Sequence, residues 1–185
     1  MKIKERIIKA SQDLAKAKGF YNMKMDELAQ QAGVSKRTIY RYFRSKEEVI
    51  EASLDTFIAE IDRQIENIMA QDLTASDVIK AVINKLIIYG QFIINPMALN
   101  DLRTYYPHLW KKIDTFRLER LRMVITKFIK QSHNTLLHET DPRIVTAVIT
   151  ASIQAVVNPD FILENDLTFE ETVNQLSKLM VAILN

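Results

Sequence analysis

The sequence predicts an all-α protein, with an N-terminal helix-turn-helix domain over residues 1–47 and a larger helical domain over residues 48–185. The first reason is composition: 48% of the residues are hydrophobic and only 3 are glycine and 4 are proline, which favours long apolar helices over a turn-rich sheet protein. The second is that apolar residues recur about every three to four positions. The third is that residues typical of helix ends separate these periodic segments.

About nine helices are predicted, and no segment has the pattern of a β-strand. Gly19 is expected to end the first helix, and the break Gly33-Val34-Ser35 separates the second from the third. Ser45 and Glu48 have the spacing of a capping box, which opens the fourth. The predicted helices cover residues 2–18, 25–32, 36–43, 45–69, 78–94, 97–106, 107–132, 142–157 and 168–184.

Helix-end signals also bound the elements of the second half. Ser76 or Asp77 is expected to cap the fifth helix, and Pro96 to end it. Pro107 fits the first turn of a long helix, where a proline is well tolerated.

Two further breaks divide the C-terminal part. The polar stretch 131–141 is predicted to be a loop, and Asn158-Pro159 is expected to end the helix before it. Thr168 and Glu171 form a second capping box, which opens the last helix.

Composition also limits the class of protein. The chain has no cysteine, which excludes disulfides, thiolate catalysis and Cys-based zinc sites and fits a reducing interior. The first residues lack the apolar core of a signal peptide, and no apolar run reaches the roughly 18 residues of a membrane span. A soluble, cytoplasmic protein without membrane contact is expected.

Charge is unevenly distributed along the chain. Residues 1–50 hold 12 Lys/Arg against 6 Asp/Glu, whereas residues 51–185 hold 13 against 17. This asymmetry favours a basic module that meets a polyanion, joined to a larger module with another role. Solubility alone could also produce it.

The segment 25–43 has the spacing of a helix-turn-helix, in which two short helices flank a glycine-centred turn. Gly33 occupies the turn position that favours a positive φ. Ala29 lies where the two helix backbones approach closely. The side chains expected to fill the small core between the helices are Leu28, Val34, Ile39 and Tyr42.

The second of these helices carries donors suited to DNA. Ser35 can cap it, and its first turn presents Lys36, Arg37 and Thr38, which can bond phosphates and base edges. An ordinary pair of amphipathic helices is the alternative, but it does not account for all of these positions at once.

These motifs resemble the DNA-binding domain of TetR-family repressors, and beyond that domain the chain resembles the family only in helix layout and length. The residues that carry the resemblance are Gly19-Phe20, Met25-Asp26-Glu27-Leu28-Ala29, Ala32-Gly33-Val34-Ser35-Lys36-Arg37-Thr38-Ile39-Tyr40-Arg41-Tyr42-Phe43 and Ser45-Lys46-Glu47-Glu48.

The resemblance implies roles at matched positions. Lys36, Arg37 and Thr38 would lie in the major groove, whereas Tyr40 and Tyr42 would bond phosphates through their hydroxyls. Lys46, at the start of the fourth helix, is similar to the family's phosphate anchor.

Two positions depart from the family pattern, and one more is left open. Lys24 stands where Thr or Ser is usual, and lysine can meet a phosphate but cannot cap a helix. Arg37 stands where glycine is frequent, so its guanidinium is hypothesised to read a guanine. Arg41 either adds a phosphate contact or simply solvates the helix.

The helix predicted over 78–94 is apolar almost all round and must be buried on most sides. The resemblance implies that this helix and the one after Pro107 line a ligand cavity, and the absence of an obvious charged cluster there favours an apolar or weakly polar effector. At any one position, plain core packing is the alternative. The candidate lining residues are Tyr89, Phe92, Met97, Tyr105, Trp110, Phe116, Met123 and Gln154.

Helices 142–157 and 168–184 are candidates for a homodimer interface. The first carries Ala147, Ala151 and Ala155, a small-residue stripe that permits close helix approach, and two such helices per chain could form a four-helix bundle. Intramolecular packing is the alternative. The resemblance favours the dimer, which would read a near-palindromic operator with its recognition helices about 34–36 Å apart.

Two other classes of protein remain as rivals. One is a helical carrier or sensor of apolar molecules without a DNA role. The other is a small helical enzyme, which the sequence disfavours because it has no nucleophile with a supporting base, phosphate-binding glycine loop or paired-carboxylate signature. The three histidines have no metal-site spacing, so no metal and no cofactor are expected.

Overall fold

A computed structural model describes residues 1–90, 95–131 and 134–184. All regular elements within these ranges are helices, which confirms the predicted all-α class. There are eleven where about nine were predicted. They are α1 (Ile3–Lys18), α2 (Met25–Ala32), α3 (Lys36–Tyr42), α4 (Lys46–Met69), α5 (Ala75–Gly90), α6 (Pro96–Tyr105), α7 (Pro107–Gln131), α8 (Thr135–Glu139), α9 (Pro142–Val156), α10 (Pro159–Glu164) and α11 (Phe169–Leu184).

The two additional helices lie where the sequence predicted irregular structure. The expectation of a loop over 131–141 was wrong because α8 forms there, capped by the Asn134 side chain. Asn158-Pro159 follows the end of α9 as expected but also begins α10. The Asn158 side chain accepts a hydrogen bond from the backbone of Phe161 at 2.9 Å, and the proline occupies the first turn.

Helix α5 begins earlier than expected. The Thr74 hydroxyl, rather than Ser76 or Asp77, caps it by accepting from the Asp77 backbone at 3.2 Å, while also donating to the Asp77 carboxylate at 2.8 Å. Residues 91–94, at the end of the predicted helix, lie outside the described ranges.

The capping boxes are formed with one difference. At α11 the Thr168 hydroxyl accepts from the Glu171 backbone at 3.1 Å, and the Glu171 carboxylate accepts in return from the Thr168 backbone at 2.9 Å. At α4 the Ser45 hydroxyl accepts from the Glu48 backbone at 3.1 Å. The Glu48 carboxylate, however, accepts from the backbone of Arg44, one residue before the expected donor.

The chain divides into two compact units, Met1–Asp62 with Ile88–Ile113 and Arg63–Ile87 with Asp114–Asn185. The predicted boundary after residue 47 stays a prediction. The core of the first unit includes the fully buried residues Ile7, Phe20, Leu28, Ile39, Val49, Ile50 and Leu54. That of the second includes Ile68, Val78, Ile125, Ile129, Leu137, Val145, Ile149 and Met180.

Among the described residues, none of the helices combines the length and the apolar character needed to cross a membrane.

Candidate nucleic-acid interface

Helices α2 and α3 pack through the small core that the sequence predicted, with one correction. Leu28 and Ile39 are fully buried, and Ala29 is nearly so. Tyr42 was expected in this core, but it is 42% exposed, whereas the next residue, Phe43, is buried with only 2% exposed. The reason is that α3 ends at Tyr42 and the chain becomes extended at Phe43, which turns the Phe43 ring inward.

The turn between the helices depends on Gly33. Its backbone is left-handed, with φ 63° and ψ 40°, a conformation that costs a residue with a Cβ about 1–2 kcal/mol. A Cβ at this position would also lie 2.5 Å from Nη2 of Arg6. The same nitrogen donates hydrogen bonds to the carbonyl oxygens of Ala32 and Gly33, so α1 holds the turn from outside.

Helix α3 presents an exposed polar face. The Ser35 hydroxyl caps it by accepting from the backbone N–H of Thr38 at 3.0 Å, as expected, and also shares a hydrogen bond with the Thr38 hydroxyl at 2.8 Å. The exposed residues of this helix are Lys36, Arg37, Tyr40 and Arg41, whereas Ile39 is buried. An unobstructed basic face on a short helix is the feature that enters a DNA major groove in helix-turn-helix proteins.

Lys36 has a partner within the protein. Its Nζ lies 3.0 Å from Oδ2 of Asp26 on α2, and both side chains are largely exposed. An exposed pair of this kind contributes little to stability and leaves the lysine able to exchange partners.

The N-cap residue of α2, Lys24, does not cap the helix with its side chain, as expected. Its backbone N–H donates instead to the Glu27 carboxylate at 3.1 Å. Glu27 also accepts from the Lys18 ammonium. The hydrogen bond from Lys18, followed by that from Lys24, lowers the pKa of Glu27 below its usual value of 4.5, against the smaller opposing effect of burial. The exposed Lys24 ammonium is left on the surface of α2.

Lys46, the first residue of α4, is half-buried beside the turn that joins α1 to α2. Its Nζ donates to the carbonyl oxygen of Tyr21 at 2.7 Å and lies 5.9 Å from the centre of the Tyr21 ring. Burial lowers the pKa of Lys46, while the charge of Asp101 opposes that shift.

Sequence reasoning missed the residues of α6 that contact this turn. Asp101 accepts from the backbone N–H of Tyr21 at 2.8 Å, and the Tyr105 ring stacks on that of Tyr21 with centroids 4.0 Å apart. Asn95 donates to the carbonyl oxygen of Lys16 at 2.8 Å. These contacts join residues about 80 positions apart, so no local sequence pattern could predict them. They can be recognised only in the folded protein, where the Asp101 carboxylate is buried.

The candidate effector-lining residues are divided between the two units. Tyr89, Met97 and Tyr105 are exposed in the first unit, where Trp110 is half-buried. Tyr105 stacks on Tyr21. Phe92 lies outside the described residues. In the second unit Phe116 and Met123 are half-buried, with the Arg120 guanidinium 5.6 Å from the Phe116 ring centre, whereas Gln154 is exposed.

The helices proposed for dimer formation carry exposed apolar residues. On α9, five such residues recur at helical spacing and lie away from the buried Val145 and Ile149: Ile144, Ala147, Val148, Ala151 and Ala155. Leu179 of α11 is 62% exposed and Val148 is 58% exposed.

Within the described ranges, His, Asp and Glu side chains form no cluster of three or more that could hold a metal ion.

Comparison with known proteins agrees with this geometry. The family of bacterial regulatory proteins, tetR family, matches residues 7–53, which run from α1 into α4. A protein of Bacillus subtilis (strain 168) named as the uncharacterized HTH-type transcriptional regulator YvaF is 29% identical over 174 residues, covering 93% of this chain and 90% of that protein. The Fatty acid metabolism regulator protein of the same organism is 28% identical over 80 residues, covering 43% of this chain and 41% of that protein.

The fold is also similar to solved structures. The transcriptional regulator FadR from Bacillus subtilis, crystallised in complex with stearoyl-CoA, superposes with a TM-score of 0.67 at 22% identity, covering 96% of this chain and 97% of that one. The match over α1–α4 leads to one conclusion: residues 7–53 of this chain are a DNA-binding helix-turn-helix region of the tetR family of bacterial regulatory proteins.

Proposed function

We propose that this protein is a cytoplasmic, ligand-responsive repressor that binds a near-palindromic operator as a homodimer. The observation that carries the proposal is the set of exposed, mostly basic side chains on α3, which are Lys36, Arg37, Tyr40 and Arg41. The runner-up, a carrier of apolar molecules without a DNA role, gives no reason for an uncovered basic face on that helix.

One set of side chains contacts base edges of the DNA, and a second set contacts its phosphates. Lys36, Arg37 and Thr38 read base edges, and Lys36 leaves Asp26 as it enters the groove. The remaining residues contact phosphates, which set register and orientation but carry no sequence information: Lys24, Ser35, Tyr40, Arg41, Tyr42 and Lys46.

The dimer forms through α9 and α11. The exposed Ile144, Val148 and Leu179 support this, because helix faces with apolar residues at helical spacing are stable when covered. The small alanine side chains of α9 allow the α9 helix of the partner subunit to approach closely. Two recognition helices would then read half-sites about 34–36 Å apart.

The effector is an apolar or weakly polar small molecule that favours a conformer with another spacing, so that both half-sites are no longer engaged together. Two of the comparisons favour fatty acyl compounds: one similar sequence is a fatty acid metabolism regulator, and one similar structure contains stearoyl-CoA. We therefore place a fatty acyl compound first among the candidate effectors. No catalytic step is proposed.

Selection from random duplex DNA, followed by fluorescence anisotropy on the selected sequence, tests this function. We expect the logarithm of the affinity to fall linearly with the logarithm of the salt concentration, and the slope to fall by about 0.9 for each phosphate contact removed. Lys24→Gln should lower the slope, whereas Lys80→Gln, at an exposed lysine of α5, is the matched control and should not.

The same assay separates the rival classes. A protein that binds fatty acyl compounds but shows equal indifference to every duplex in dilute buffer would be a carrier. If acyl compounds do not change the operator affinity, the proposed effector is wrong, but the proposed DNA binding still stands.

A further inference from the structure

The turn between α1 and α2 is held by a buried carboxylate of α6. Asp101 is only 8% exposed, and its Oδ2 accepts from the backbone N–H of Tyr21 at 2.8 Å. The same oxygen is 2.3 Å from the position that a Cβ on Gly19 would occupy. The carboxylate therefore fits directly against the turn backbone, and only glycine leaves room for it.

Two more side chains at the ends of α6 contact the same region. Asn95, which caps α6 by accepting from the Met97 backbone at 2.8 Å, also donates to the carbonyl oxygens of Ala15 and Lys16. At the other end, Tyr105 stacks on Tyr21 with an angle of 20° between the rings. Helix α6 thus holds both the end of α1 and the ring and the backbone of Tyr21.

Tyr21 in turn fixes Lys46. Its carbonyl oxygen accepts from Nζ of Lys46 at 2.7 Å, and its ring lies beside the same ammonium. The charge of Asp101 raises the pKa of Lys46 against the larger effect of burial, which lowers it. One residue therefore joins a helix outside the helix-turn-helix to the proposed phosphate anchor.

We propose that Asp101 and Tyr105 are positioning residues of the DNA interface, which act by holding Tyr21 where its carbonyl places the Lys46 ammonium for a phosphate. This inference rests on the proposed function, because it takes DNA as the ligand and Lys46 as a phosphate contact. A purely structural role for α6, in which it only adds packing to the first unit, is the competing interpretation.

The test is a double-mutant cycle on the selected operator, with the slope of log affinity against log salt as the readout. Asp101→Leu, which removes the acceptor for the Tyr21 backbone, and Tyr105→Leu should each lower the slope by about 0.9, which corresponds to one lost phosphate. Lys46→Gln should lower it by the same amount. In the Lys46→Gln background, neither α6 substitution should lower it further, because the residue through which they act is gone.

Two controls separate positioning from loss of structure. Tyr105→Phe keeps the stacked ring and should retain the wild-type slope. Lys112→Met removes the ammonium of α7 that lies 3.0 Å from Glu51 of α4. This ion pair belongs to the first unit but does not involve Tyr21. The substitution should change the urea midpoint without changing the slope.

Each outcome is decisive. If the wild-type protein binds no duplex, the proposed function fails. If it binds and Lys46→Gln lowers the slope, but both α6 variants keep the wild-type slope or add fully to Lys46→Gln, only this inference is overturned. If Lys46→Gln itself leaves the slope unchanged, Lys46 contacts no phosphate and the inference is overturned as well.

Discussion

The guanidinium of Arg6 donates to the carbonyl oxygen of Gly33 at 2.9 Å and to that of Ala32 at 2.6 Å. The last carbonyl groups of a helix have no partner within it, and a cation placed there also complements the helix dipole. Arg6 thus serves α2 as a C-terminal partner supplied by another helix. Its side chain is committed to the protein and is not a free contact for flanking DNA.

Replacing this arginine should therefore destabilise the domain. We expect Arg6→Met to lower the free energy of unfolding by about 1.5–3 kcal/mol, the range for hydrogen bonds to a charged group. Lys9→Met is the matched control, since Lys9 makes only an exposed i,i+4 pair with Asp13 and should cost about 0.3–0.5 kcal/mol. Urea denaturation measures both, and equal losses would contradict the assignment.

Arg37 should carry sequence preference rather than general affinity. If it reads a guanine, Arg37→Ala weakens binding by about 1–3 kcal/mol at one base pair of each half-site and leaves the other positions unchanged. Competition among single-base operator variants measures this. A uniform loss across all variants, with a smaller salt slope, would assign Arg37 to a phosphate instead.

Charging the exposed stripe of α9 should separate the subunits. Val148→Glu places a carboxylate where the proposed interface is apolar, so we expect a monomer by light scattering and a loss of tight operator binding. Leu163→Glu is the control, because Leu163 is equally exposed, at 58%, but lies on α10. A Val148→Glu protein that keeps the mass of the wild type would exclude α9 from the interface.

The Glu27 carboxylate should make stability depend on pH in a defined direction. Its pKa in the folded protein is lowered, first by the hydrogen bond from Lys18, so its contribution is present above the usual value of 4.5 and is lost as the pH falls through the folded value. Glu27→Gln keeps an acceptor for the Lys24 backbone but removes the charge.

Urea midpoints should therefore be lower for Glu27→Gln than for the wild type at neutral pH and should converge in acid. The same difference at both pH values would show that shape, rather than charge, explains the loss.

The N-terminal elements were predicted well because their signals are local. Gly33 and Ser35 act on backbone groups within a few residues, and the capping of α3 follows directly from their identities. Tyr42 was misplaced because which of the two neighbouring rings, Tyr42 or Phe43, is buried depends on where α3 ends.

The short C-terminal helices gave weaker signals. Five polar and apolar residues in α8 are too few to show a helical period, and Asn158-Pro159 is equally suited to ending one helix and starting another. The α6 contacts required the fold itself. Nothing in the sequence around Asp101 predicts that its carboxylate is buried, and its hydrogen-bond partner Tyr21 is 80 residues away.

The pair between Lys36 and Asp26 makes arrival on DNA an exchange of partners. Any duplex, correct or not, must compete with a carboxylate already 3.0 Å from the ammonium. A guanine edge offers lysine two acceptors, whereas a passing phosphate on random sequence offers a contact that Asp26 largely matches. Under the proposed function, Lys36 leaves Asp26 only where the duplex offers it a stronger contact and stays paired elsewhere, so it adds affinity mainly at matching sites.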